Sequence, residues 1–249
     1  MKRALLWPLA ALLLIPGGLA EAACHPDGSV NIYNGTIGKV PVRVALQADT
    51  GKIDGRYAYL VSTADIVLKG RLDAAGKHLT LTEFDSAGHP QATFDGTFAD
   101  TDASGTKLNC ETLSGKWQLA GKPPVAFTLS LDSSGALQLA HLYGAAGVTD
   151  DAVVDRAATA FRNAVIHNQK DVAAGMMLYP FETNVNGKRT KIANAQAFLA
   201  HYDAIFTPAF RAAIAADFPR LMFARDQGVA LGGGDVWFDP SGKVITLNN

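Results

Sequence analysis

The chain is poor in the residues that build metal and redox centres, with two cysteines and six histidines among 249 residues. Neither Cys-x-x-Cys nor His-Glu-x-x-His occurs, and no Cys/His cluster has zinc spacing, so neither redox catalysis nor a metal or other cofactor is expected. No Gly-x-Ser-x-Gly elbow is present. The glycines at 232–234 lack the Lys and Ser or Thr that follow in a phosphate loop, so they read as a bulge that bends a strand, with an anion site as the alternative. Charge of neither sign is in excess: 22 Lys and Arg face 23 Asp and Glu. The cations are scattered, which leaves no basic field to hold a nucleic-acid backbone. With 18% charged and 48% hydrophobic residues, the composition excludes disorder, collagen repeats and a coiled coil.

Long hydrophobic runs are also missing. Residues 4–15 form an apolar stretch of twelve, too short to cross a bilayer, so no membrane span is expected. Lys2 and Arg3 precede it, Pro16-Gly17-Gly18 ends it, and Ala20-Glu21-Ala22 supplies small residues before a cleavage point at Ala23. Residues 1–22 therefore read as a secretory signal peptide, and the expected location is periplasmic or secreted. Cys24 stands where a lipoprotein carries its acylated cysteine, but Glu21 occupies the position at which that signal needs an aliphatic residue. The remaining cysteine is Cys110, and in an exported chain the economical reading is a Cys24–Cys110 disulfide. Closing a loop of about 87 residues would contribute roughly 4 to 5 kcal/mol in the chain-entropy view.

Over residues 40–139, apolar residues alternate with polar ones and turn formers recur every eight to twelve positions. Val40, Val42, Val44 and Leu46 mark one strand, Ile53, Tyr57 and Tyr59 the next, then Ile66, Leu68 and Leu72, and Leu79 and Leu81. The count between turns is seven or eight antiparallel strands, a number that tends to close on itself and remove its edges. After His141 the period changes. Val154, Ala157, Ala158, Phe161 and Val165 fall on one helical stripe, and a short helix follows around 170–177. Phe198, Leu199, Tyr202, Ile205 and Phe206 mark a third helix capped by Asn194, and Thr207-Pro208 opens a fourth. Asn186-Gly187 signals a hairpin, and paired apolar residues from Leu221 to Leu247 read as short closing strands. The expected organisation is a β domain over residues 23–143, a boundary in the small-residue stretch 144–149, and an α+β domain over residues 150–249, with a single intertwined domain as the alternative.

The order of elements in that second part, with Tyr179-Pro180-Phe181, the helix around residues 198–206 and the strands flanking residues 228–238, resembles the nuclear-transport-factor-2-like (SnoaL-like) cone fold of exported bacterial proteins of unknown function. Gly55-Arg56-Tyr57-Ala58-Tyr59, Leu79-Thr80-Leu81-Thr82-Glu83 and Leu113-Ser114-Gly115-Lys116-Trp117 resemble strands of a small avidin-like or lipocalin-like barrel. The resemblances imply an α+β protein, an antiparallel barrel followed by a cone, each shell closing around an interior.

Five residues of the second part are candidates for lining a ligand cavity: Tyr179, Glu182, Tyr202, Asp235 and Trp237. The cone resemblance also implies an enzyme alternative, an isomerase or hydrolase in which Asp235 acts as base with Tyr202 holding an oxyanion. Against this, Tyr202 shares the stripe of Phe198 and Phe206, which is core spacing, and Asp235 sits at a glycine-rich corner. In the barrel, Tyr57, Tyr59 and Trp117 either line a cavity or pin strand register. No catalytic residue is assigned. The leading expectation is a noncatalytic exported protein that binds a small apolar ligand or an envelope protein, and a proteinaceous inhibitor or immunity factor is a further alternative.

Overall fold

The computed structural model describes residues 28–99 and 109–249. The expected signal peptide and Cys24 lie outside them, as does the side chain of Cys110, and with these the expected disulfide. Eight strands follow one another: β1 (Val30–Ile37), β2 (Val40–Asp49), β3 (Lys52–Tyr59), β4 (Ile66–Leu72), β5 (His78–Phe84), β6 (Pro90–Ala99), β7 (Asn109–Leu119) and β8 (Val125–Gly135). Each pairs antiparallel with the next and β8 returns to β1, which closes the barrel. All edges are thereby satisfied.

Period two does the sorting. In β5 and β6 buried and solvent-facing positions alternate, and Leu79, Leu81, Phe94 and Phe98 fill the interior with Tyr33, Tyr57, Phe127 and Leu129 from other strands. Glycines occupy inward positions where neighbouring strands coil together. At Gly115, opposite Gly96, an added Cβ would lie 2.0 Å from the carbonyl oxygen of Asp95, so only glycine permits this approach.

β1 and β2 are buried on both faces. Their outward residues Val30, Ile32 and Ala45 belong to the core of the second half. That half contains α1 (Asp151–Ile166), α2 (Lys170–Met176), the ribbon of β9 (Phe181–Val185) and β10 (Lys188–Ile192), α3 (Ala195–Ile205) and α4 (Pro208–Ala216). A four-stranded antiparallel meander of β11 (Phe223–Arg225), β12 (Gly228–Leu231), β13 (Val236–Phe238) and β14 (Val244–Leu247) completes it. The caps are those expected from the sequence: Asn194 accepts from the Ala197 amide, and Thr207, ahead of Pro208, accepts from that of Phe210. Asn186 and Gly187 both take positive φ at the β9–β10 turn. The chain is mostly β, with a closed barrel and few helices. Among the described residues no helix is long and apolar enough to cross a membrane.

The two halves meet at a polar junction as well as an apolar one. Strand pairing between β1 and β8 skips Asp132, and this bulge leaves its carboxylate beside Arg43 of β2 at 2.7 Å. Arg43 also donates to Asn34 Oδ1 at 2.9 Å and, across the junction, to the carbonyl oxygen of Leu221 at 2.7 Å.

Candidate functional site

In an antiparallel meander the β1–β2, β3–β4, β5–β6 and β7–β8 connections gather at one end of the barrel. That end is open. A cleft of about 900 Å³ lies there, walled by Ile37, Lys39 and Val40 at the first hairpin, by Tyr59 and residues 61–64 of the β3–β4 loop, and by Trp117 and Val125. The volume falls within the range usual for small-molecule sites. Its lining is mostly aliphatic or aromatic, and among the described residues Lys39 is its one charged group. Val61 is 82% exposed and Val40 50% exposed.

Beneath the cleft is a polar floor that follows from strand phase. The alternation that turns Leu79 and Leu81 inward turns Glu83 inward too, and it is buried. One carboxylate oxygen of Glu83 accepts from the Tyr57 hydroxyl at 2.8 Å and from the Trp117 indole N–H at 3.0 Å. Hydrogen bonds to a carboxylate in such surroundings are strong and hold both donors in place. The Tyr59 hydroxyl lies 3.4 Å from that of Tyr57, and the two rings meet edge to face at 5.5 Å. Burial first, then the neighbouring Tyr59 hydroxyl and Glu83 carboxylate, push the Tyr57 hydroxyl far above its ordinary range, so it remains a neutral donor. Tyr57 and Trp117 therefore brace the floor, while Trp117 and Tyr59 also present their rings to the cleft.

A smaller cleft of about 380 Å³ lies where β8 meets the second half, lined by Asp132, Ser133, Phe223, Arg225, residues 232–234 and Trp237. The Trp237 indole N–H donates to the Gly234 carbonyl at 2.9 Å, and the Arg225 guanidinium lies 4.9 Å over its ring. Asp217 packs against Gly232, where a Cβ would come within 2.1 Å of its carboxylate. Burial, then the charge of Asp235, pushes Asp217 up to about 6, and burial raises Asp235.

The five candidates from the second half are distributed over three places. Tyr179 and Tyr202 flank Phe198 in the aromatic core, with ring centroids 6.4 and 5.6 Å from it. The Tyr179 hydroxyl donates to the Ala174 carbonyl at 2.9 Å. Glu182 is exposed on β9 and pairs with Arg189 at 2.8 Å. Trp237 lines the smaller cleft, and Asp235, which directly precedes β13, is near enough for its charge to act on Asp217. Asp203 is exposed and held below the usual carboxylate range, first by its hydrogen bond from Lys170. Among the described residues no group of three His, Cys, Asp or Glu is placed to hold a metal ion.

Sequence reasoning did not single out Glu83 or the β3–β4 loop. The signal for Glu83 was an acidic residue in phase with Leu79 and Leu81, which on a half-buried strand means an inward carboxylate in need of partners. Compared with known proteins, the chain matches no protein-family model, and no curated protein matches it.

Proposed function

We propose that this is an exported, noncatalytic protein that binds a small, mostly apolar ligand in the open end of its barrel. The observation that carries the reading is the concave apolar rim, in which Val61 and Val40 stay in water above a floor braced by Glu83. Covering a valine side chain is worth about 1.5 to 3 kcal/mol, so a ligand that fills the rim gains affinity from surface that the fold leaves unburied. Lys39 at the mouth favours an anionic or hydrogen-bond-accepting end on the ligand. In the same reading the second half is a cone of the nuclear-transport-factor-2-like kind whose interior is occupied by its own rings, Phe161, Phe198, Tyr202, Phe206 and Phe238, all buried. Binding then falls to the barrel.

Anilinonaphthalene sulfonate, an apolar dye with one anionic group, tests the site. The full chain is expected to take up the dye with a blue-shifted emission. Val61→Asp, at a position exposed enough to leave folding intact, is expected to weaken uptake at least about ten-fold, equivalent to about 1.4 kcal/mol. Uptake unchanged by this substitution would show that the dye binds elsewhere and remove the proposal. Export is checked separately: the secreted chain is expected to begin at Ala23 and to show no free thiol when denatured, and a retained leader would refute it.

A further inference from the structure

The β3–β4 loop that walls one side of the cleft is gripped from outside the barrel. Within the barrel, local bonds between Tyr59 and Ser62 shape its start. Beyond it the loop is held by Arg56 of β3 through Asp65 and, from the second half, by Arg220, which lies between α4 and β11. Its Nε donates to Asp65 Oδ1 at 2.6 Å and one Nη donates to the Thr63 carbonyl at 3.2 Å. The other Nη lies 3.4 Å from Asp155 of α1. Asp65 in turn meets Arg56 of β3 at 3.4 Å, and Arg56 meets Asp151 at 3.5 Å. The side chains of Asp65, Arg220 and Asp155 are 11%, 16% and 8% exposed, so these contacts lie largely out of water.

We propose that Arg220 is a positioning residue for the barrel cleft, a strap by which the second half fixes the rim loop and couples occupancy of the cleft to its own docking. The inference rests on the reading of the cleft as a ligand site. Thr63 is a wall of that cleft and Arg220 is not, so Arg220 acts on a ligand only through the loop. A planar guanidinium with three separate partners specifies one geometry, which a lysine cannot reproduce. A buried ion pair of this kind adds little net stability compared with an apolar pair, while loss of one partner leaves the other charge stranded. Its effect here is to select one loop position. If the freed loop holds the binding position only a tenth of the time, apparent affinity falls ten-fold. Linkage makes the effect reciprocal, so a bound ligand tightens the junction by the same factor.

The test compares wild type, Val61→Asp, Arg220→Met, Asp65→Asn and the double variant R220M/D65N as full chains, by dye affinity and by amide hydrogen exchange over residues 60–66. Each strap variant is expected to weaken the dye about 5- to 20-fold and to speed exchange in the loop. The double variant is expected to lose less than the sum of the two single losses, because both changes remove the Arg220–Asp65 contact. Asp65→Asn, on the barrel side, keeps the test open should Arg220→Met impair folding. Unchanged loop exchange, or additive losses of affinity, overturns the strap. A loss of dye in Val61→Asp but not in the strap variants leaves the cleft standing and overturns the coupling. A wild type that takes up no dye removes the cleft reading and the coupling with it.

Discussion

Arg43→Met is expected to destabilise the protein by about 3 kcal/mol, the low end for stranding one partner of a buried ion pair. For a chain of this size that lowers the midpoint of thermal unfolding by about 6 to 12 °C. Among the described residues Arg43 is one of few buried charged groups, with its side chain 8% exposed, and its guanidinium ties three parts of the molecule together. It donates to Asn34 on β1, to Asp132 at the β8 bulge and to the Leu221 carbonyl of the second half. Leu221 takes a positive φ of 52°, a conformation unfavourable for a branched apolar residue, so its carbonyl is held where Arg43 can reach it. Methionine would fill the volume but leave the Leu221 carbonyl without this donor. Asp132, 35% exposed, can recover water, which is why the low end of the range applies. Urea denaturation monitored by circular dichroism would measure the change. A loss below about 1 kcal/mol would mean that apolar packing around Val30, Ile32 and Ala45 carries the junction without Arg43.

The second large effect is a stability curve with an unusual slope. Burial pushes Asp155 up to about 6, with the Asp65 charge acting in the same direction, against the Tyr143 hydrogen bond and the Arg220 and Arg56 charges. An unfolded aspartate titrates near 3.9. Between about pH 4 and 6 the folded state therefore binds more protons at Asp155 than the unfolded state does. Stability from this group is fully present below that window and is lost as pH rises through it, by about 3 kcal/mol at most. Asp217, also raised to about 6, adds a contribution of the same sign, reduced by its partial exposure. The exposed Asp73 and Asp203 and the half-buried Asp85, held low by hydrogen bonds, act oppositely and lose stability as pH falls. Asp155→Asn isolates the effect, because asparagine mimics the neutral acid and keeps an acceptor for Tyr143, 2.6 Å away. The stability of wild type minus that of Asp155→Asn is expected to decline as pH rises from 4 to 6. A flat or rising difference would show that Arg220 and Tyr143 keep Asp155 charged throughout.

Much of the architecture was legible along the chain, and its omissions have physical causes. Strands β2 to β5 stood out because their apolar inward residues alternate with mostly polar or small outward ones, such as Arg43 and Ala45 on β2. β1 did not, since Val30 and Ile32 pack outward into the second half while Tyr33 and Ile37 point inward, which erases the alternation. The spacing of Leu221 and Phe223 predicts a strand through both, yet β11 begins at Phe223 because Leu221 turns through positive φ. α1 and α3 carried apolar stripes in the sequence, α3 and α4 their N-caps, and all three helices appear with these features. At the site, Tyr59 and Trp117 could be weighed only as cavity wall or register pin, and in the structure Trp117 braces Glu83 while both rings face the cleft.

The sequence by itself determined the closed antiparallel barrel, its turns and the capped helices, because these depend on periodicity and on backbone chemistry within a few residues. Which partners the buried charges meet was decided only by tertiary structure. Arg220 meets Thr63 across 157 positions and Arg43 meets Leu221 across 178. No local pattern encodes such pairs, since each partner alone looks like an ordinary surface charge or a loop carbonyl until the two halves pack and exclude water from between them.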